Sequence, residues 1–337
     1  SLILATGGKP LVPPIEGRNL KGVFTVRTLE DCKTILQAME GVKSATIVGA
    51  GPIGLEVACA FNSKKIKTTV VEMLPQILPR VLDSDMAFEV QKELSKKGIE
   101  IIIGAPLSEI QGKESVNKVL VKGREIKSDI VVLATGVKPN IELAKNAGIK
   151  IGSTGAIKVN DNLQTNAPDI WAAGDCVESK CYITGEPTLS QFATTAFKQG
   201  KIAGANAAGK NFLFPGVLNT MVTVLSGIEV ASTSLTENSA TKANFEVVIG
   251  KSLSKSKAYS VSSFVRTKLI FKKEDKRIIG AQIIGEHAAQ RINVISLAIQ
   301  KSLSLLDLVE AETAYAPVVS VLPDPVTLAA EDALKKF

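Results

Sequence analysis

Ala45-Thr46-Ile47-Val48-Gly49-Ala50-Gly51-Pro52-Ile53-Gly54-Leu55-Glu56 decides how the rest of the chain is read. A short β-branched run enters a G-x-G-x-x-G turn, and an apolar-periodic segment (Ile53, Val57, Ala60, Phe61) leaves it. The order is strand, tight turn, helix. The three glycines are expected to act differently. Gly49 permits the turn, Gly51 lets backbone approach a pyrophosphate, and Gly54 lets helix and strand pack closely. The helix start offers free N–H groups and the positive end of its dipole to phosphates. A second strand over residues 67–71 ends on Glu72, close to the ~20-residue offset of a ribose-binding acid. A carboxylate there accepts hydrogen bonds from ribose hydroxyls and repels a 2′-phosphate, which points to NAD(H) over NADP(H). The bland alternative makes Glu72 a solvated strand-end charge beside an ordinary turn.

The bulk properties narrow the class. A chain of 337 residues holds two or three domains, and 45% hydrophobic with 22% charged residues is a globular composition. Mean hydropathy is +0.20, but apolar runs such as 99–103 and 130–134 have strand length and are too short to span a bilayer. No stretch has a signal-peptide pattern. Aromatic residues make up 4% and His287 is the single histidine, leaving little for a histidine metal site or a base-stacking nucleic-acid surface. No metal and no nucleic-acid partner are expected. The net charge of +7 is scattered lysine, which serves solubility or the attraction of anionic ligands. Cys32, Cys59, Cys176 and Cys181 do not form the framework of a small secreted domain, so a reducing, cytoplasmic setting is expected. Cys59 falls on the expected core face of the first helix.

Along the chain, residues 2–5 read as a buried strand, 22–26 as another and 29–39 as a helix. After Glu72, Pro75 and Pro79 mark a loop. A helix follows over about 83–97, with Asp83, Ser84 and Asp85 as N-cap candidates and Gly98 as its stop. Residues 119–121 and 125–126 suggest an antiparallel excursion before 130–133 returns to the sheet. Ala5-Thr6-Gly7 and Ala134-Thr135-Gly136 both end apolar strands, suggesting two nucleotide-binding units of one design. Past an apolar segment at 159–163, Ile170-Trp171-Ala172-Ala173-Gly174-Asp175 ends another strand in a carboxylate placed to hold a polyol hydroxyl. A small-residue helix spans 191–208. From about 215 the pattern becomes β-rich, with runs at 222–225, 245–249, 261–271 and 278–284 and an exposed hairpin tip at 272–276. Helices at 287–301 and 305–310 and a last amphipathic one complete a separate α+β domain.

The two A-T-G strand ends, the central glycine turn with Glu72, the A-A-G-D at 172–175 and a tail carrying Tyr315-Ala316-Pro317 and Asp324-Pro325 occur in this order. With them the chain resembles the pyridine nucleotide-disulfide oxidoreductases over essentially its whole length. Its branch looks like that of the NADH oxidases, NADH peroxidases and coenzyme A-disulfide reductases. The resemblance implies an α/β architecture in three parts. A Rossmann-like NAD(H)-binding domain (42–140) is inserted in a partial FAD-binding domain (1–41 and 141–214), and a C-terminal α+β dimerisation domain (215–337) follows. It implies that Gly49, Gly51, Pro52, Ile53, Gly54, Glu56, Glu72 and Gly136 contact NAD(H). Thr6, Gly7, Asp175, Ala193 and Thr194 would line FAD, with Tyr315 and Pro317 approaching the flavin of a partner in a homodimer. The implied reaction carries hydride from NADH through FAD to a small-molecule acceptor: a disulfide, peroxide or dioxygen. A reductase for rubredoxin or a similar carrier, and an inactive NAD-binding and dimerising fragment, are the alternatives.

The departures matter as much. The family opens with its own FAD-binding G-x-G-x-x-G and a redox cysteine after it; here that motif occurs once, at 49–54. The expectation is an N-terminally truncated chain, without its catalytic cysteine and with half of its FAD site missing. Val318 replaces the second proline of the family's Y-A-P-P tail. His287 opens a helix and is expected to be structural. Cys176 and Cys181 share the C-x-x-x-x-C spacing of a redox pair but follow the Gly-Asp motif rather than a first FAD helix, so they are expected to be unrelated to it.

Overall fold

The computed structural model describes residues 1–259 and 262–337. The chain opens with β1 (Leu2–Leu4) and β2 (Gly8–Pro10), then β3 (Val23–Thr25) and α1 (Leu29–Ala38). Thr28 and Asp31 start α1 with a reciprocal capping box. The glycine-turn unit follows as β4 (Ser44–Val48), α2 (Pro52–Ser63), β5 (Lys67–Val71), α3 (Ser84–Lys96) and β6 (Glu100–Ile102). Next comes an antiparallel excursion, β7 (Leu107–Gly112), β8 (Val116–Val121) and β9 (Arg124–Lys127), before β10 (Ile130–Leu133) returns. The excursion has three strands where the sequence suggests two, because β7 carries no clean alternation.

The parallel sheet has the order β3-β10-β4-β5-β6. β4, β5 and β10 are almost wholly buried, as mostly β-branched strands in a sheet covered on both faces should be. The pairing corrects one assignment. Val23–Thr25 lies beside β10, in register Val131 to Val23, so this strand joins the glycine-turn sheet and not the first segment. Ile35 of α1 enters the same core.

β11 (Val137–Pro139) then pairs antiparallel with β2, and α4 (Glu142–Asn146) follows. β12 (Ile170–Ala172) pairs parallel with β1. Residues 159–163 turn instead of extending, with Leu163 at φ +62°. β13 (Glu178–Lys180) and β14 (Pro187–Leu189) form a hairpin that leads to α5 (Ala193–Ala207).

The last part is an antiparallel sheet of order β15-β16-β19-β18-β17 with helices packed on it. Its elements are β15 (Met221–Leu225), β16 (Ile228–Ser234), α6 (Glu237–Lys242), β17 (Val247–Lys255), β18 (Phe264–Lys272), β19 (Ile278–Ile284), α7 (Ala288–Gln300), α8 (Leu305–Val309) and α9 (Pro325–Leu334). The expected strand at 261–271 begins at Phe264, and Val261 lies outside the described residues. β16 and α6 are additions to the sequence reading; the polar 232–242 stretch hides a strand end and a capped helix, Thr236 bonding to Ser239 N–H. Leu225, Val230 and Ile284 of this sheet enter the core of the glycine-turn unit, so the two units share apolar packing. Among the described residues no helix is long and apolar enough to cross a membrane.

Candidate dinucleotide-binding site

β5 and β6 extend the sheet to one side of β4, whereas β10 and β3 lie on the other. At such a reversal the loops leaving neighbouring strand ends diverge, and a crevice opens at the carboxyl edge. Here those loops are Gly49–Gly51 after β4 and residues 134–136 after β10. Gly49 sits at φ +104°, and a Cβ there would lie 2.4 Å from the Ala134 carbonyl oxygen. A Cβ on Gly54 would lie 2.0 Å from the Gly49 oxygen. Both glycines are therefore fixed by internal packing, as the motif leads one to expect. Gly51 is different: its φ is −73°, and a Cβ there would meet nothing within 4 Å. Neither strain nor neighbours demand a glycine at 51. Space is left open in front of the α2 start, where no side chain caps the helix and Pro52 occupies the first helical position. Gly136, at φ +117°, is equally open.

Glu72 closes the crevice beside this loop. It is 7% exposed, and Ala50 N–H donates to its Oε2 at 2.7 Å while Leu74 N–H donates to Oε1 at 2.8 Å. A buried carboxylate needs such donors, and these two draw it against the glycine turn. The bland reading of a solvated strand-end charge is corrected by this burial. Leu78 N–H donates to the Ala50 oxygen at 2.9 Å, so the loop after Glu72 touches the turn a second time. Ile53 is exposed at the mouth. Glu56 is not brought to the crevice: its Oε1 accepts from Thr223 Oγ of β15 at 2.5 Å, about one turn along α2. Cys59, further along the same face, accepts from Ser226 Oγ at 3.2 Å.

The second set of expected site residues is arranged around β1 and β12. Thr6 Oγ donates to the Asn140 oxygen at 2.6 Å, and Asn140 Nδ2 donates back to the Thr6 oxygen at 2.9 Å, joining the two linker segments. Asp175 carries an ion pair with Arg27 Nη2 at 2.7 Å, a partner that sequence reasoning missed because Arg27 lies 148 residues away. Gly7 is at φ +65° beside the same guanidinium. Ala193 and Thr194 are exposed at the amino end of α5, which no side chain caps. A carboxylate and free helix-start amides fit the polyol and ring of a flavin nucleotide. Nothing in the set supplies a second pyrophosphate turn.

The remaining candidates resolve simply. Tyr315 and Pro317 lie on an exposed turn held by Ser320, whose Oγ accepts from Ala316 N–H at 2.9 Å. His287 is left-handed at φ +63° and opens α7, its backbone N–H donating to Glu229 Oε1 at 3.2 Å. Cys176 is buried with Sγ against the Ala173 oxygen, and Cys176 and Cys181 are both free thiols. Asp83 precedes α3 but its side chain does not cap that helix. Its carboxylate instead accepts from the N–H groups of Glu237 and Asn238 at the start of α6 and from Gln282 Nε2.

A family model described as pyridine nucleotide-disulphide oxidoreductase matches residues 1–200, and the model of that family's dimerisation domain matches 220–324. The chain belongs to the pyridine nucleotide-disulphide oxidoreductase family. Members of this family are NAD(P)H-dependent flavoprotein enzymes using FAD. A relative named NADH oxidase from Methanocaldococcus jannaschii is 49% identical, over 100% of this chain and 76% of its own length. A CoA-dependent NAD(P)H sulfur oxidoreductase from Pyrococcus furiosus is 35% identical, over 98% of this chain and 75% of its own. Among solved structures, a NAD-dependent persulfide reductase from A. fulgidus superposes with a TM-score of 0.96 at 38% identity, covering 99% of this chain and 63% of that one. The chain thus spans about three quarters of these curated relatives and under two thirds of the reductase. The expected fold class holds, and the dimerisation-domain match supports homodimer formation through the carboxy-terminal part.

Proposed function

We propose that this chain holds NADH in the crevice at 49–54, as part of an FAD-dependent NADH oxidoreductase acting on a sulfur–sulfur bond, peroxide or dioxygen. One observation carries the reading: the open space over Gly51 lies between uncapped α2 amides and a buried carboxylate bonded to the same turn. The Gly51, Ile53 and Gly54 N–H groups hold the pyrophosphate by charge-assisted hydrogen bonds. Glu72 keeps lone pairs for the adenosine ribose hydroxyls, and its charge repels a 2′-phosphate, giving NADH preference over NADPH. Thr6, Gly7, Asp175, Ala193 and Thr194 would hold FAD, which when bound supplies the two-electron relay between nicotinamide and acceptor. The Arg27–Asp175 pair fixes the carboxylate at the edge between the two strand sets, and Gly136 leaves room for the nicotinamide end. The acceptor class follows the names of the relatives, an NADH oxidase and a CoA-dependent sulfur oxidoreductase.

Glu72→Arg replaces a repelling charge by an attracting one at the ribose. The ratio of NADH to NADPH affinity should fall by at least tenfold in titrations of the purified protein. An unmoved ratio would remove Glu72 from the site.

A further inference from the structure

The carboxy-terminal sheet grips the end of the segment that begins at Glu72. Gln282 of β19 bonds to Asp83 twice: Asp83 N–H donates to its Oε1 at 2.9 Å, and its Nε2 donates to Asp83 Oδ2 at 2.6 Å. Lys268 of β18 is 1% exposed and reaches Asp83 at 3.0 Å, Asp85 at 3.0 Å and Glu237 at 2.8 Å. A lysine this buried is held only where carboxylates surround it, and those come from both units.

Between Glu72 and Asp83 the backbone has little slack. Gln76 Nε2 donates to the Leu82 oxygen at 2.9 Å, Leu78 N–H donates to the Ala50 oxygen at 2.9 Å, and Leu78 and Leu82 are core residues. One end of the segment is bonded to the glycine turn and the other to a different unit of the protein. A shift at Asp83 must therefore move Leu78 and the turn, or break these bonds.

We infer that Lys268 and Gln282 are positioning residues for the dinucleotide site, acting through Asp83 and residues 72–83 on the Gly49–Gly51 turn and Glu72. The inference rests on the NADH reading above and deepens it: the dimerisation unit sets the affinity of the adenosine end. By linkage, NADH bound in the crevice tightens the contact between the units by the same factor.

The test titrates the full chain with NADH and with ADP-ribose at 25 °C, for wild type, Gln282→Leu, Asp83→Asn, Lys268→Arg and a control, Ile295→Val. Ile295 is a fully buried core residue of the same unit with no bond to the segment. Gln282→Leu and Asp83→Asn should each raise Kd for both ligands about tenfold. Lys268→Arg, which keeps the charge, should stay within threefold of wild type. Ile295→Val should lower the melting temperature and leave Kd unchanged. Should Gln282→Leu fail to fold, Asp83→Asn preserves shape and decides the matter alone. Wild-type affinity in the folded variants, beside a melting temperature lowered like that of Ile295→Val, would overturn the inference and leave the NADH reading standing. A wild-type chain that binds neither ligand would overturn both.

Discussion

Alanine at position 51 separates ligand binding from folding more cleanly than any other single change. Its φ of −73° suits alanine, and the added Cβ meets no atom within 4 Å. Loss of backbone freedom in the unfolded chain favours the variant by about 0.4–1 kcal/mol. Glycine is the better residue at an N-cap, which offsets a similar amount. The net change in stability should be under about 1 kcal/mol. The methyl group nevertheless stands where a pyrophosphate oxygen must approach the α2 amides. Losing one hydrogen bond to a charged oxygen costs about 1.5–3 kcal/mol, which is a rise in Kd of roughly ten- to a hundredfold. Gly54→Ala is the contrasting case. Its Cβ would lie 2.0 Å from the Gly49 carbonyl oxygen, so the strand–turn–helix unit must spread, at a cost of about 3 kcal/mol. Urea unfolding and NADH fluorescence titration read the two quantities separately. A Gly51→Ala protein that binds NADH as tightly as wild type would refute the placement of the pyrophosphate over residue 51.

Lys268→Met should destabilise the protein by about 3–5 kcal/mol, because it leaves the carboxylates of Asp83 and Glu237 without their cation and Asp85 with Lys251 alone; the urea midpoint measures it. Burial pushes the Asp85 carboxyl up, but Lys251 and Lys268 outweigh this and hold it below its ordinary 3.8. Its contribution is therefore present above that value and lost as pH falls through the lowered folded one. Stability measured from pH 5 downward should fall less steeply in Asp85→Asn than in wild type. On α7, Val294 and Leu297 are 60% and 57% exposed on the face turned from the sheet. Glutamate at either should leave the fold intact and convert a dimer to a monomer in light scattering.

What could be read from the sequence was what local rules determine. The β-branched run, three glycines with separable roles and an acid one strand later are each set within a few residues, and the structure places them around one crevice. Helices α3 and α7 carry their apolar periodicity openly, and α9 also carries its cap in Asp324. Other features depend on pairing across the chain. Val23–Thr25 has too few residues to show which sheet it joins, and β10 decides it from more than a hundred residues away. Asp83 reads as a cap for its own helix because that is the commonest use of the residue there; the partners it takes lie about 155 and 199 residues on. A signal for part of this cluster was present in Gln282, a polar residue inside the otherwise apolar β19, whereas Lys268 shares β18 with Arg266, Thr267 and Lys272. Such residues are buried only with partners, although the sequence does not say which.

The central claim is that a nicotinamide dinucleotide lies over Gly51 with its adenosine ribose on Glu72. A crystal structure of the protein grown with NADH tests it most directly. The expected result has pyrophosphate oxygens within hydrogen-bond distance of the Gly51, Ile53 and Gly54 amides and the ribose hydroxyls on the Glu72 carboxylate. Density for the dinucleotide elsewhere, or over the turn with its ribose away from Glu72, would contradict it.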